Sequence, residues 1–387
     1  MVKKVLLTAP RWLVLAAAFM GIVLASAVAQ NDASKPQPPV GKGKVVVHSA
    51  LGGFILGYDI DQHGTEGVLS EALVLPDGNA DVAIETFDQK TGKILKIVKK
   101  MNDTKSDFVT WGIFGNSTGL NEFEHVSKLF VDKRLYGTMN PLSSNQINGQ
   151  WTPPLTKNDI IIGMGVNQAT TNTAVMAFDN GGSFNSYVFS TNVAANTFGP
   201  VIKITDPNFD FNDSPVMAYD SATNQAILGG GNGCPNCSPE IGIVDLTTGD
   251  QTSFTGLGFG FINGIAVDPE TGIACTTTEI DFSVEFYDLA KQTGIIVPIP
   301  GATSQAQSGL DVQFDPIHKV FLVGQEFTST GPTGSSIQVF DEKGTWLEAV
   351  NDLSLPASPA YMALQPSKRA GYVIITPELT SLQSFTY

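Results

Sequence analysis

The chain runs to 387 residues and carries 22 Lys+Arg against 37 Asp+Glu, a formal net charge of −15. So acidic a balance repels phosphate backbones and anionic lipid, which argues against nucleic acid and membrane surfaces and leaves cations or basic partners open. No long amphipathic helical pattern is present, so helical and α/β architectures are excluded as the main fold.

The first segment reads as targeting rather than structure. Lys3, Lys4 and Arg11 form a basic start, Trp12 to Val28 is apolar, and Ala27-Val28-Ala29 gives the small-x-small pattern accepted by signal peptidase before Gln30. Residues 1–29 are therefore expected to be a cleaved signal peptide, with an uncleaved anchor helix as the alternative. Cleavage would remove three positive charges and no negative ones, taking the net charge to −18. A secreted or periplasmic location follows, without membrane attachment after cleavage. Residues 30–42 are polar and Pro-rich, a flexible linker, and residues 43–387 are expected to form one all-β domain.

The elements recur in chain order. Lys44–His48 is a lone strand with no hairpin partner before it. A turn marked by an apolar residue and Asp then appears in two series. One, placed after first strands, is centred on Asp220, Asp268, Asp315 and the related Gln365, at spacings of 48, 47 and 50 residues. The other, placed after third strands, is centred on Asp88, Asp179, Asp245, Asp288 and Asp341. The clearest unit is Gly260–Gly301, with strands at Asn263–Val267, Ile273–Thr278, Ser283–Tyr287 and Ile295–Ile299. A period near 48 residues made of four short strands is the signature of a radially repeated blade. The last unit, Tyr361–Tyr387, offers three strands, so the lone N-terminal strand is expected to supply its fourth and close the ring.

These turns resemble the YVTN/NHL-like group of β-propellers, whose blades carry a hydrophobic-Asp-Pro turn and a hydrophobic-Asp-x-x-Thr-Gly turn. The resemblance is best over residues 212–387. It implies a β-propeller of four-stranded antiparallel blades, and counting candidate strands makes it seven-bladed, with six blades and an insertion as the alternative. The middle departs from the pattern: Pro141–Asn158 is polar and carries no blade motif, although seven candidate strands between Phe108 and Ile204 suit two blades better than one.

Propellers of this type include binding modules, lactonases and other hydrolases, so function has to be argued from residues. First strands start and second strands end at one rim, around the central channel. Glu279 and Glu326, each 11 residues past its turn Asp, fall there, with Asn232 and Glu378 at similar places and Asn263 and Asp311 near first-strand starts. The expectation is a ligand or protein partner, a cationic one included, held at this acidic mouth by a binding or scaffold module. The alternative is a metal-dependent hydrolase such as a lactonase, with Glu279, Asp311, Glu326 and Asn263 as oxygen ligands to Ca²⁺. A second loop, Asp59-Ile60-Asp61-Gln62-His63-Gly64-Thr65-Glu66, has part of a calcium-loop pattern, with His63 in place of the third acid and Ser70 at the distal position. Asp206–Asp213 is a further acidic loop, read as turn former. Cys234 and Cys237, in Gly-Cys-Pro-Asn-Cys, are expected to form a small loop disulfide, and Cys275 to be a buried hydrophobe. Trp111, Phe114 and Trp151 suit core packing better than an aromatic platform. No nucleophile elbow, zinc-protease helix or phosphate loop occurs.

Overall fold

A computed structural model describes residues 44–61, 65–76, 80–103, 110–114, 121–126, 134–139, 147–151, 159–166, 172–179, 186–192, 197–205, 216–231, 238–278, 282–300, 302, 309–325, 336–350, 353, 357–375 and 379–387. The segment read as signal and linker, the acidic loop 206–213 and the Cys234/Cys237 pair lie outside these residues.

Among the described residues the strands form seven antiparallel sheets, six of four strands and one of five. The chain enters on β1 (Val46–His48) and then lays down β2 (Phe54–Ile60), β3 (Glu66–Val74), β4 (Ala80–Asp88) and β5 (Ile94–Asp103) as one sheet. The second sheet holds β6 (Thr110–Phe114), β7 (Asn121–Val126), β8 (Arg134–Met139) and β9 (Ile147–Trp151). The third holds β10 (Asp159–Val166), β11 (Asn172–Asp179) and β12 (Ser186–Asn192), with the short β13 (Thr197–Phe198) and β14 (Ile202–Lys203) both on β12. The fourth is β15 (Val216–Asp220), β16 (Gln225–Gly231), β17 (Pro239–Asp245) and β18 (Gln251–Thr255). The fifth is β19 (Ile262–Asp268), β20 (Ile273–Thr278), β21 (Ser283–Asp288) and β22 (Thr293–Pro298). The sixth is β23 (Gly309–Asp315), β24 (Val320–Gln325), β25 (Ser336–Asp341) and β26 (Trp346–Val350). The last is β27 (Ala357–Gln365), β28 (Ala370–Ile375) and β29 (Ser381–Thr386), with β1 as its fourth strand, Val47 opposite Leu382.

The turn acids account for the repeated hairpins. Asp268 Oδ1 accepts the Glu270 N–H at 2.9 Å, Oδ2 accepts the Thr271 hydroxyl at 2.9 Å, and Gly272 reaches φ +69°. An Asp side chain that bonds backbone two residues on builds the turn before the sheet is in place. Asp220, Asp315, Asp88, Asp245 and Asp341 each accept a backbone N–H two residues on in the same manner. Four residues past the turn acid, or three at Asp341 (Gly344), the backbone is left-handed. Glycine fills that position in some turns (Gly92, Gly249, Gly272), whereas Asn224, Gln292 and Lys319 occupy it in others.

Packing is between sheets rather than within one. Cys275, Val284 and Phe286 of the fifth sheet meet Val312, Phe321 and Phe340 of the sixth. Val320, Leu322 and Val339 of the sixth meet Leu364, Val373 and Phe385 of the last. The last sheet in turn meets the first, where Phe87, Leu69 and Ile60 pack with Tyr372, Ile374, Leu382 and Val47. Each sheet alone has no core, and stacking neighbours supplies it. The first strands β2, β6, β10, β15, β19, β23 and β27 each contact the next in that order, and β27 contacts β2. Gly264 permits one of these approaches, since a Cβ there would lie 2.9 Å from the Asp311 Cα and 2.8 Å from the Val312 nitrogen.

The middle of the chain departs from expectation in one element. Ile147–Trp151 lies within the polar stretch that carries no blade motif, yet it pairs with β8, Trp151 opposite Tyr136. Its five residues have one β-branched member, so local pattern is weak and the partner strand determines the outcome.

Candidate functional site

Antiparallel pairing brings the starts of first strands and the ends of second strands to one rim: Val216 opposite Gly229, Ile262 opposite Thr278, Gly309 opposite Gln325 and Ala357 opposite Ile375. Of the six residues expected there, Asn263 and Asp311 are described. Asn232, Glu279 and Glu326 lie outside the described residues, each immediately after the described end of β16, β20 or β24, and Glu378 lies outside them three residues after β28.

Both described residues sit at β-bulges. The register of β19 on β20 shifts between Ile262 and Gly264, which leaves Asn263 as the extra residue, and that of β23 on β24 shifts between Gly309 and Asp311. Bulges re-aim side chains at such places. Asn263, half-buried, donates from Nδ2 to the Gly309 carbonyl of the next sheet at 3.2 Å. Asp311, also half-buried, accepts the Met362 N–H of the sheet beyond at 2.9 Å and the Gln313 side-chain amide at 3.1 and 3.2 Å. Desolvation pushes the Asp311 carboxyl up to about 7, against the opposing pull of these hydrogen bonds. The two residues therefore tie neighbouring first strands together as well as standing at the rim. Among the described residues no group of three His, Cys, Asp or Glu is arranged to hold a metal ion.

The loop at Asp59–Glu66 is used by the scaffold. Asp59 Oδ1 accepts its neighbour's N–H at Ile60 (2.7 Å), and the Asp61 carbonyl receives the amides of Gln89 (3.0 Å) and Gln365 (3.2 Å). Ser70, at the distal ligand position, is fully buried inside β3 and donates to the Gly57 carbonyl at 3.4 Å. His63 lies outside the described residues. Cys275 is buried and free, and burial, with the nearby charge of Glu285, drives its thiol well above the ordinary value.

At the opposite rim the first-strand turn acids are buried and committed. Lys319 Nζ reaches Asp268 at 3.3 Å and Glu270 at 2.5 Å, while Asp315 accepts from His318 Nδ1 and the Tyr387 hydroxyl, each at 2.7 Å. Desolvation would raise Asp268 and Asp315, but hydrogen bonds outweigh it and lower both: to Asp268 from the Glu342 side chain foremost, then the Glu270 N–H, Thr271 and Lys319, and to Asp315 from the His318 N–H, the Tyr387 hydroxyl, the His318 ring and the Ile317 N–H.

Sequence reasoning missed a third set of polar residues, inside the sheets. Three positions before the end of the third strand stand Glu85, Glu285, Gln338 and Gln383, all at most 4% exposed. Glu285 accepts the hydroxyls of Thr276 and Ser283, each at 2.9 Å. Gln338 donates to Gln325 at 3.3 Å and to Ser336 at 3.0 Å, and accepts from Trp346 Nε1 at 2.9 Å. Glu85 accepts the Ala50 N–H at 3.0 Å, and its diagonal neighbour Glu71 accepts those of Leu51 (2.7 Å) and Gly53 (2.8 Å). The signal was present as Ser-x-Glu/Gln-x-aromatic in Ser283–Tyr287, Ser336–Phe340 and Ser381–Phe385, with Ala83–Phe87 as a variant.

Four-stranded antiparallel sheets whose first strands contact one another in sequence define a β-propeller. Solved structures agree. The chain is similar to the structure of U3-55K, with a TM-score of 0.61 at 12% identity over 90% of this chain and 100% of that one. It is similar to the crystal structure of the RRP9 WD40 repeats as well, with a TM-score of 0.59 at 12% identity over 90% and 99%. No family model and no curated protein matches the sequence. Identity this low speaks for the fold alone.

Proposed function

We propose that the chain is an exported, seven-bladed β-propeller of YVTN/NHL-like type, closed by β1 and acting as a scaffold that takes a protein partner at its acidic channel mouth. Support for the blade count comes from the seven sheets and from first-strand contacts that run from β2 round to β27 and back. Support for export comes from the basic start, apolar run and Ala27-Val28-Ala29. The observation that carries the binding reading is the meeting of strand ends at one rim, where Asn263 and Asp311 stand and where β16, β20 and β24 lead directly into Asn232, Glu279 and Glu326. A rim of that composition on a chain of net charge −15 favours a partner with a basic segment.

The test uses an octa-lysine peptide against residues 30–387 and two variants of equal charge. One carries Asp311→Asn, Glu279→Gln and Glu326→Gln at the mouth. The other carries Asp88→Asn, Asp245→Asn and Asp341→Asn, where Asn keeps the turn acceptor. Binding is expected to weaken at least about tenfold in the first variant and to change little in the second. Equal weakening in both would reduce the interaction to net charge and remove the mouth as the site. A divalent ion at one per chain, lost with Glu279→Gln, would instead favour the hydrolase reading with Glu279, Asp311, Glu326 and Asn263 as ligands.

A further inference from the structure

The segment Ser49–Gly53 joins β1, on the last sheet, to β2, on the first. It is fastened on both sides. Toward the last sheet, the Ser49 N–H donates to the Thr380 carbonyl at 3.0 Å and the Ile55 N–H to the Leu379 carbonyl at 2.7 Å. Toward the first sheet, three N–H groups of the segment point at two carboxyl groups: Leu51 and Gly53 at the two oxygens of Glu71, and Ala50 at Glu85 Oε2. Both Glu side chains are fully buried.

The fourth oxygen of this set, Glu85 Oε1, is buried and receives no hydrogen bond. A buried carboxylate oxygen without a donor costs free energy, and two carboxylates sharing one dry site cannot both ionise cheaply. Something must neutralise one charge. A metal ion fits poorly, because backbone N–H groups already occupy three of the four oxygens and no third acidic, His or Cys ligand joins them among the described residues. A proton on Glu85 fits, since it makes the orphaned oxygen a donor toward Glu71, the side chain with which it is hydrogen-bond coupled.

We propose that Glu71 and Glu85 form a one-proton clasp on Ser49–Gly53, so that loss of the shared proton loosens the seam through which β1 joins the first sheet to the last. The pair presents three acceptor positions and one donor when it holds one proton, and the segment with its neighbour consumes all of them. When both groups are ionised the N–H contacts remain available, but two like charges face each other in a site closed to water. The cheapest relief is for Ser49–Gly53 to lift and admit solvent.

Burial, Glu71 and the Ala50 N–H are the influences on Glu85, with no cation among them. The segment itself has no titratable side chain, β29 carries none, β28 carries only Tyr372, whose hydroxyl donates to the Gln89 carbonyl, and His48 on β1 is engaged with Ser381 Oγ at 2.7 Å. On the first sheet, β5 places Ile97 opposite Glu85. Asp81 lies four residues before Glu85 on β4, and Lys100 pairs with Ala83, the residue opposite Glu71. Burial first, and Glu71 second, push Glu85 up to about 8, which places the transition in the mildly alkaline range.

Amide hydrogen exchange of Ala50, Leu51 and Gly53, corrected for intrinsic base catalysis, tests the clasp between pH 6 and 9.5. Protection of these three amides is expected to fall at least about tenfold across pH 7–9 in the native sequence, while amides of β20 and β24 hold theirs. In Glu85→Gln, which keeps the acceptor for Ala50 and adds a permanent donor toward Glu71, protection is expected to stay level. Protection that ignores pH in the native sequence, or that falls equally in Glu85→Gln, overturns the proposal. Should that variant fail to fold, a carboxyl-carbon NMR titration of the native chain decides: no Glu titrating above about pH 6.5 also overturns it.

Discussion

Phe87 and Gly67 offer a test of how the first sheet is locked to the last. Phe87, the aromatic before the Asp88 turn, is fully buried, and its ring lies edge-on to Tyr372 with centroids 5.5 Å apart and planes at 69°. The opposite face of the ring covers Gly67 of β3, directly across the ladder, so closely that a Cβ on Gly67 would overlap the ring carbons. Phe87→Ala removes a side chain that Gly67 has no atoms to replace, so the cavity cannot collapse from that side and the loss is about 4 kcal/mol. Gly67→Ala alone forces the ring against Tyr372, Ile60 and Leu69 and costs about 2 kcal/mol by overpacking. In the Phe87→Ala background the same change has room. There it also gains the roughly 0.5–1 kcal/mol by which Ala outdoes Gly within a strand.

The double variant should therefore be less destabilised than Phe87→Ala by itself, near 3 kcal/mol against an additive expectation of about 6, a coupling of about 3 kcal/mol. Urea unfolding at constant m-value measures all four corners of the cycle. Additivity within about 0.5 kcal/mol would mean that ring and glycine do not touch in the folded protein, and the account of this seam would fail.

Two further predictions follow from backbone and from charge. Gln292 is exposed at φ +54°, so Gln292→Gly relieves a left-handed conformation and, after the flexibility it adds to the unfolded chain, should raise stability by about 0.5 kcal/mol. Lys319→Gly, at the equivalent turn position, should lower stability because the amine bridging Asp268 and Glu270 goes with it; equal shifts in the two midpoints would refute the distinction. Asp311, held near 7 when folded, keeps a proton that the unfolded chain has already lost above the ordinary carboxyl value of 3.8. Its contribution is therefore full at low pH and declines as pH rises from about 4 through 7. The difference in urea midpoint between the native chain and Asp311→Asn should change across that window and level off above it, and parallel curves would show that Asp311 titrates normally.

The turns were legible because their cause is local. An Asp that bonds its own backbone two residues on needs no tertiary context, and so Asp220, Asp268 and Asp315 declare the strand boundaries in the bare sequence. The strand at 46–48 was legible for the opposite reason: three strands in the last unit left an edge that one unpaired strand could fill, and Val47 lies opposite Leu382. Ile147–Trp151 was not legible, since Ile-Asn-Gly-Gln-Trp has no alternation and a single β-branched residue and takes its form from β8. At the rim, period and phase were enough to place Asn263 and Asp311 but could not reveal that each reaches into the next sheet, because that contact depends on bulges at Asn263 and before Asp311.

The third-strand series was hidden by a rule that works elsewhere. Alternation of apolar and polar residues ordinarily marks a sheet with one wet face, so Glu285 in Ser-Val-Glu-Phe-Tyr reads as pointing to water. In stacked sheets both faces of an inner strand are covered, and the polar residue is carried inside, where it has to be satisfied. The same position is then solved by three chemistries. Gln325 and Gln338 are neutral amides that satisfy each other at any pH. Glu285 is a single acid supplied with two hydroxyl donors. At the first sheet, facing the last, Glu85 at this position is joined by a second acid, Glu71 of β3, and the two grip backbone that belongs to neither of their strands. An amide in place of Glu85 would keep the Ala50 contact without the burden of a second buried charge, whereas in place of Glu71 it would lose one of the two N–H contacts, since an amide has a single acceptor oxygen. What the acids add over amides is dependence on a proton, at the one junction where the strand that begins the described chain is fastened to the sheet that ends it.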